Sequence, residues 1–301
     1  MNNEQKQEII QTLTSELQGM NLAGLNNNSL LDTFAKQILD SVRRINWVYT
    51  YRERTISESV CDPQDLSFDP IKAAIYYHRA GNFDEACWLI FLSTHCGKHK
   101  TKGWHMLSQL YQRQNGVWSW PAITHSPNDF DTWYRSVQPN LTRAFGNHRK
   151  FETLKPDSRR GTNNVIKSYI DWVKPPYDHH AFFNSLDSDE TNPTKKFDTI
   201  YQSMGQVISF GRTGIFDYLC MIGKVGLLEI EPGSIYIKDA TGPKNGAIKL
   251  FRLTNNRNSI LEEKVKTLNE NLSLEKMGFQ VLEDAICNWQ KSPNKYIHFS
   301  G

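Results

Sequence analysis

The chain has 301 residues, of which 39% are hydrophobic and 12% aromatic, with 35 basic side chains against 32 acidic ones. That content excludes a disordered chain and permits one large domain or two modest ones. A formal net charge of +3 permits a nucleic-acid partner without demanding one, and the apolar run Trp88-Leu89-Ile90-Phe91-Leu92 is far shorter than the roughly 20 residues a membrane helix needs.

Residues 4–19 read as an amphipathic helix, broken near Gly24 and the Asn26-Asn27-Asn28 tract. Residues 30–54 resume it, with Leu31, Phe34, Ile38, Leu39 and Val42 at helical spacing. Asp62-Pro63 and Asp69-Pro70 mark a loop. A helical pair over 70–80 and 84–94 follows, split by Gly81-Asn82. Helices are expected at 101–114, 128–138 and 162–173, with a turn at Trp118-Ser119-Trp120-Pro121. The polar, proline-rich stretch 174–196 reads as a loop or linker that suits a lid. Beyond it, helices are expected at 197–209, 214–225, 243–252, 258–272 and 275–291, and Ser234-Ile235-Tyr236-Ile237 is the best strand candidate.

The fold class is therefore mostly α, in two helical lobes. The expected boundaries are an N-terminal helical region over 1–60, a lobe with basic motifs over 61–173, the linker 174–196, and a second lobe over 197–301. Cys61, Cys87, Cys96, Cys220 and Cys287 form neither a Cys-x-x-Cys pair nor an iron-sulfur spacing, which points to a reducing cytoplasm. The polar start Met1-Asn2-Asn3-Glu4 does not read as a signal peptide.

Chemistry concentrates in Phe210-Gly211-Arg212-Thr213-Gly214, which opens an apolar helix. Amides at such a start are unpaired, so with Arg212 they suit a phosphate; a tight turn between helices would use the same glycines. Glu231-Pro232-Gly233 then turns the chain, and Asp239 precedes Gly242-Pro243-Lys244 at an N-cap position. Asp217 and Asp284 are competing acids. Lys98-His99 and Asn147-His148-Arg149-Lys150 are donor-rich and suit a nucleic-acid backbone, or equally a solvated loop. A metal reading of His95, His99 and His105 is weakened by Gly97 and the lack of a nearby acid, so no metal or cofactor is assigned.

The order of hairpin, Gly/Pro loop and acid resembles the helix-hairpin-helix DNA glycosylases. Trp88 to His99 with Gly103-Trp104, Phe145 to Glu152, Phe210-Gly211-Arg212, Ala240 to Lys244 and Leu282 to Trp289 together resemble a narrower family, the alpha-glutamyl/putrescinyl thymine pyrophosphorylases. The resemblance implies a two-lobed helix-hairpin-helix glycosylase fold that grips DNA with Gly211, Arg212, Thr213, Gly214, Lys244, Lys98, His99, Asn147, His148, Arg149 and Lys150. It implies Asp239 as the catalytic acid, with Asp284 and Asp217 as rivals, and His95, Trp104, Phe216 and Tyr218 around an extruded base. Thr213 stands where bifunctional relatives carry a lysine, which implies a monofunctional enzyme leaving an abasic site. The implied substrate is a hypermodified pyrimidine of phage DNA, alpha-glucosyl-hydroxymethylcytosine, removed in defence by a cytoplasmic monomer. Two other readings stay open: displacement of pyrophosphate from an activated hydroxymethyl pyrimidine by an amine, and a non-catalytic sensor of modified DNA.

Overall fold

The computed structural model describes residues 3–20, 22–186, 191–254, 257–274 and 276–298. It is mostly α-helical, as the periodicity predicts. In chain order the helices are α1 (Asn3–Gly19), α2 (Asn28–Glu53), α3 (Pro70–Arg79), α4 (Phe83–Cys96), α5 (His105–Tyr111), α6 (Trp120–His125) and α7 (Pro127–Val137). They continue as α8 (Thr162–Val173), α9 (His179–Leu186), α10 (Pro193–Ser203), α11 (Arg212–Val225), α12 (Thr241–Phe251), α13 (Asn258–Asn271) and α14 (Gly278–Trp289). One two-stranded antiparallel ribbon, β1 (Gln112–Arg113) with β2 (Gly116–Val117), shortens the helix expected over 101–114. No helix among the described residues is long and apolar enough to cross a membrane.

The chain divides into two compact units, one formed by Met1–Val48 with Glu231–Gly301 and the other by Tyr49–Ile230. This differs from the sequential division expected from composition, because the first and last segments pack on each other. In that unit Phe34 of α2 meets Trp289 of α14 edge-on, with ring centroids 5.5 Å apart. The Gly24 amide donates to the Leu250 carbonyl at 2.8 Å. Apolar periodicity finds each helix but not its partner across the sequence.

The unit Tyr49–Ile230 is built around α4. Every residue from Glu85 to Ser93 is buried, as expected of a helix apolar on all faces. Trp88, Phe91 and Tyr169 stack there, with Phe91 and Tyr169 centroids 3.8 Å apart.

Three local expectations are corrected. Residues 174–196 hold α9 and the start of α10 rather than a continuous loop. His179 anchors α9 through its backbone N–H and Nδ1, both 2.7 Å from Asp84 Oδ1; the part of the expected lid at 187–190 lies outside the described residues. Trp118 to Pro121 does not merely turn: Ser119 caps the Ala122 amide and Pro121 sits in the first turn, so α6 starts there. Ser234 to Ile237 forms no strand, because the amides of Ile235 and Ile237 donate to the Glu262 carboxylate at 3.3 and 2.5 Å.

Candidate functional site

Three of the singled-out segments meet in the unit Tyr49–Ile230. The first crossing is glycine on glycine. Gly97 ends α4 with φ +64°, and the Gly146 amide donates to the Cys96 carbonyl at 2.8 Å. A β-carbon on Gly146 would come within 2.8 Å of the Gly97 carbonyl carbon, so only glycine permits this approach. The second crossing is made by Arg149. Its guanidinium lies 5.3 Å from the Phe210 ring centroid. A β-carbon on Gly214, in the first turn of α11, would be 2.8 Å from its Nη2.

Arg149 is 6% exposed, and its Nη2 has no hydrogen-bond partner among the described residues. Burial disfavours its charge, while Asp217 and Glu152 support it. Arginine nonetheless keeps its proton in proteins. Buried Glu152 receives Arg160 Nη2 on Oε1 at 2.7 Å, while its Oε2 has no partner among the described residues. Arg160 Nε also donates to Ser209 Oγ at 2.9 Å, tying the basic segment to the turn before α11. Ser209 itself sits at φ +64°.

No side chain caps α11, whose N-cap is Gly211. Its helical ladder opens with Ile215 N–H to Gly211 C=O at 3.1 Å, which puts Gly211 to Gly214 at the positive end of a 14-residue helix. The Arg212 guanidinium lies 4.7 Å from the Phe216 centroid beside them. Such an end attracts anions, and a buried arginine behind it adds a fixed charge.

A family model described as alpha-glutamyl/putrescinyl thymine pyrophosphorylase clade 3 matches residues 29–301. The chain belongs to this family. No curated protein and no protein of known structure gives a significant match.

In this pyrophosphorylase-family chain the expected DNA-contacting residues fall in both units. Gly211 to Gly214 and Arg149 converge as described. Asn147, His148 and Lys150 are exposed on the same loop. Lys98 Nζ lies 5.7 Å from the Trp104 centroid and 4.0 Å from Asp69 Oδ2. His99 Nδ1 accepts the Lys102 amide at 3.1 Å, so His99 is held within its own turn. Lys244 and Asp239 belong to the unit of the chain ends.

Among the expected base-pocket residues, Trp104 is half-buried and donates Nε1 to Asp69 at 3.3 Å. The other three are core side chains. Phe216 and Tyr218 are wholly buried on α11, and the Tyr218 hydroxyl meets that of Tyr169 at 2.9 Å. His95 stacks with Phe91 and Phe210 and meets Thr162 Oγ1 at 3.1 Å. Burial, then Arg149 and Arg160, push its pKa down to about 3, so it is neutral. Their helical spacing serves packing.

The three acids differ sharply. Asp239 is exposed at φ +64°, and Ala240 rather than Asp239 occupies the N-cap of α12, which corrects the expected capping role. Asp284 accepts Ser41 Oγ at 3.0 Å and Arg44 Nη2 at 3.1 Å, linking α14 to α2 within the chain-end unit. Asp217 is half-buried and supports the Arg149 charge. Among the described residues no group of three or more His, Cys, Asp or Glu side chains is placed to hold a metal ion.

Sequence reasoning missed Glu152 as the buried partner of Arg160. It also missed the chain Asp84–His179–Tyr169–Tyr218, linked at 2.7, 2.7 and 2.9 Å. These polar residues lie on four helices, and no spacing in the sequence links them.

Proposed function

We propose that this protein modifies a thymine-type base in DNA by substitution at the 5-methylene carbon. Family membership over residues 29–301 carries this reading. In the reaction, an amine nitrogen such as that of putrescine or glutamate bonds to the methylene carbon of a pyrophosphorylated 5-hydroxymethyl pyrimidine. The carbon–oxygen bond breaks, pyrophosphate leaves with the electron pair, and the amine gives its proton to a carboxylate or to water. The substrate is polyanionic, and the start of α11 with Arg149 and Arg212 has the charge to bind it. The family resemblance implies Asp239, an exposed acid of the chain-end unit next to the glycine-containing start of α12, as the carboxylate.

A second reading is excision of a hypermodified pyrimidine, alpha-glucosyl-hydroxymethylcytosine, by a monofunctional glycosylase of helix-hairpin-helix type in phage defence. The observation that favours it is the element order: α10, the glycine pair at α11, then Asp239 just ahead of α12. Both readings give a cytoplasmic protein whose partner is DNA, with the base extruded from the stack.

Mass spectrometry separates them. Incubation with DNA carrying the pyrophosphorylated base and putrescine is expected to yield intact strands with an amine-bearing base and free pyrophosphate. Free base and an abasic strand from glucosylated DNA establish excision instead. Unchanged DNA in both arms contradicts both.

A further inference from the structure

Phe151 is a large apolar side chain left 76% exposed. It is held there by its own turn. The Glu152 amide donates to the Arg149 carbonyl at 2.9 Å, closing the turn that carries Phe151. Arg143 Nη2 donates to the carbonyls on either side of it, Lys150 at 2.8 Å and Glu152 at 3.1 Å. Its chain neighbours but one and one, Arg149 and Glu152, are both buried. A turn fixed at so many points presents the ring in a set place.

The surroundings state what the ring meets. The segment from Arg143 to Arg160 holds six basic residues against two acids, and both acids are already engaged: Glu152 by Arg160 at 2.7 Å and Asp157 by Arg135 at 2.8 Å. Lys150 Nζ rides 5.1 Å from the Phe151 centroid. A membrane or protein partner would be met by a broader apolar face. A single preset aromatic ring in a basic field fits a polyanion with flat apolar faces, which is nucleic acid.

We propose that Phe151 is a wedge that stacks on a base of bound DNA and fills the space beside the extruded nucleotide. The proposal rests on the DNA-modifying reading above. Arg149 and Arg143 position the wedge, and Lys150 supplies a phosphate contact next to it.

The test uses the full chain and a DNA duplex that bears one pyrophosphorylated 5-hydroxymethyluracil with 2-aminopurine beside it. Wild-type protein is expected to bind the duplex and to raise 2-aminopurine fluorescence as the base unstacks. Phe151→Ala is expected to bind roughly 5- to 100-fold more weakly and to lose the fluorescence rise. The slope of log affinity against log salt stays unchanged, because no phosphate contact is removed. Phe151→Trp restores both signals. An unchanged circular dichroism spectrum and melting temperature are expected for so exposed a side chain. Wild-type affinity and fluorescence in Phe151→Ala overturn the wedge alone; absence of DNA binding by the wild type overturns the wedge and the DNA reading together.

Discussion

The Arg149 guanidinium fills the space where Gly214 has no side chain: a β-carbon there would lie 2.8 Å from Nη2 and 2.9 Å from Nη1. This fit sets the loop carrying Asn147, His148 and Lys150 against the start of α11. Gly214→Ala gains about 1 kcal/mol of helix propensity but drives a buried guanidinium off the Phe210 face, at about 1–3 kcal/mol. The expected result is a small change in melting temperature with a roughly tenfold loss of DNA affinity, about 1.4 kcal/mol, read by fluorescence anisotropy. Unchanged affinity would separate Arg149 from the interface.

A second outcome concerns the buried polar chain. Asp84 Oδ1 holds both the His179 amide and Nδ1 at 2.7 Å, and His179 Nε2 meets the Tyr169 hydroxyl at 2.7 Å. Asp84→Ala leaves the buried imidazole without its anchor, so a loss of about 1–3 kcal/mol is expected in urea denaturation. Hydrogen exchange should rise first in α9. Stability equal to wild type would mean that another group replaces the carboxylate.

Two buried groups give stability opposite pH dependences. His95 has its pKa lowered from 6.5 to about 3 by burial, then by Arg149 and Arg160. The unfolded chain therefore binds more protons below pH 6.5, and stability falls as pH drops from 6.5 towards 3, by up to about 1.4 kcal/mol per unit. Glu85 has its pKa raised from 4.5 to about 7 by burial, against bonds from Tyr111 and the Trp120 amide. There the native state binds more protons, so its contribution is full below 4.5 and fades as pH rises to 7. The two offset each other in the shared window. Glu85→Gln removes one, and its stability is expected to rise more steeply than that of the wild type between pH 4.5 and 6.5 in denaturation at stepped pH. Parallel curves would contradict the assignment of Glu85.

The helices were legible because their signals are local. The span predicted at 162–173 matches α8 at both ends, Gly161 lying before it and Lys174 after it. The partnership of chain ends was not legible, since Phe34 and Trp289 are far apart in sequence and either could serve any core. Convergence of the 95–97, 145–152 and 209–214 segments was marked only by their motifs. Nothing in the sequence distinguishes a buried Arg149 from an exposed Lys150 beside it. His95, Phe216 and Tyr218 carry the residue types of a base pocket but are spent on packing. Asp239, expected to cap α12, stands one residue too early, because Ala240 takes the N-cap position.

Asp239→Asn tests the assigned acid separately from binding. Losing a proton acceptor from the reacting centre is expected to slow product formation by roughly 10²- to 10⁴-fold. DNA affinity should change little. Full turnover in Asp239→Asn would move the role to Asp217, which already supports Arg149, or to water.

The most direct measurement is the intact mass of an oligonucleotide bearing one pyrophosphorylated 5-hydroxymethyluracil after incubation with the protein and putrescine. The account predicts a single new species in which the pyrophosphate is replaced by the amine, formed only with enzyme. A strand that keeps its pyrophosphate, or one that loses the whole base, would contradict it.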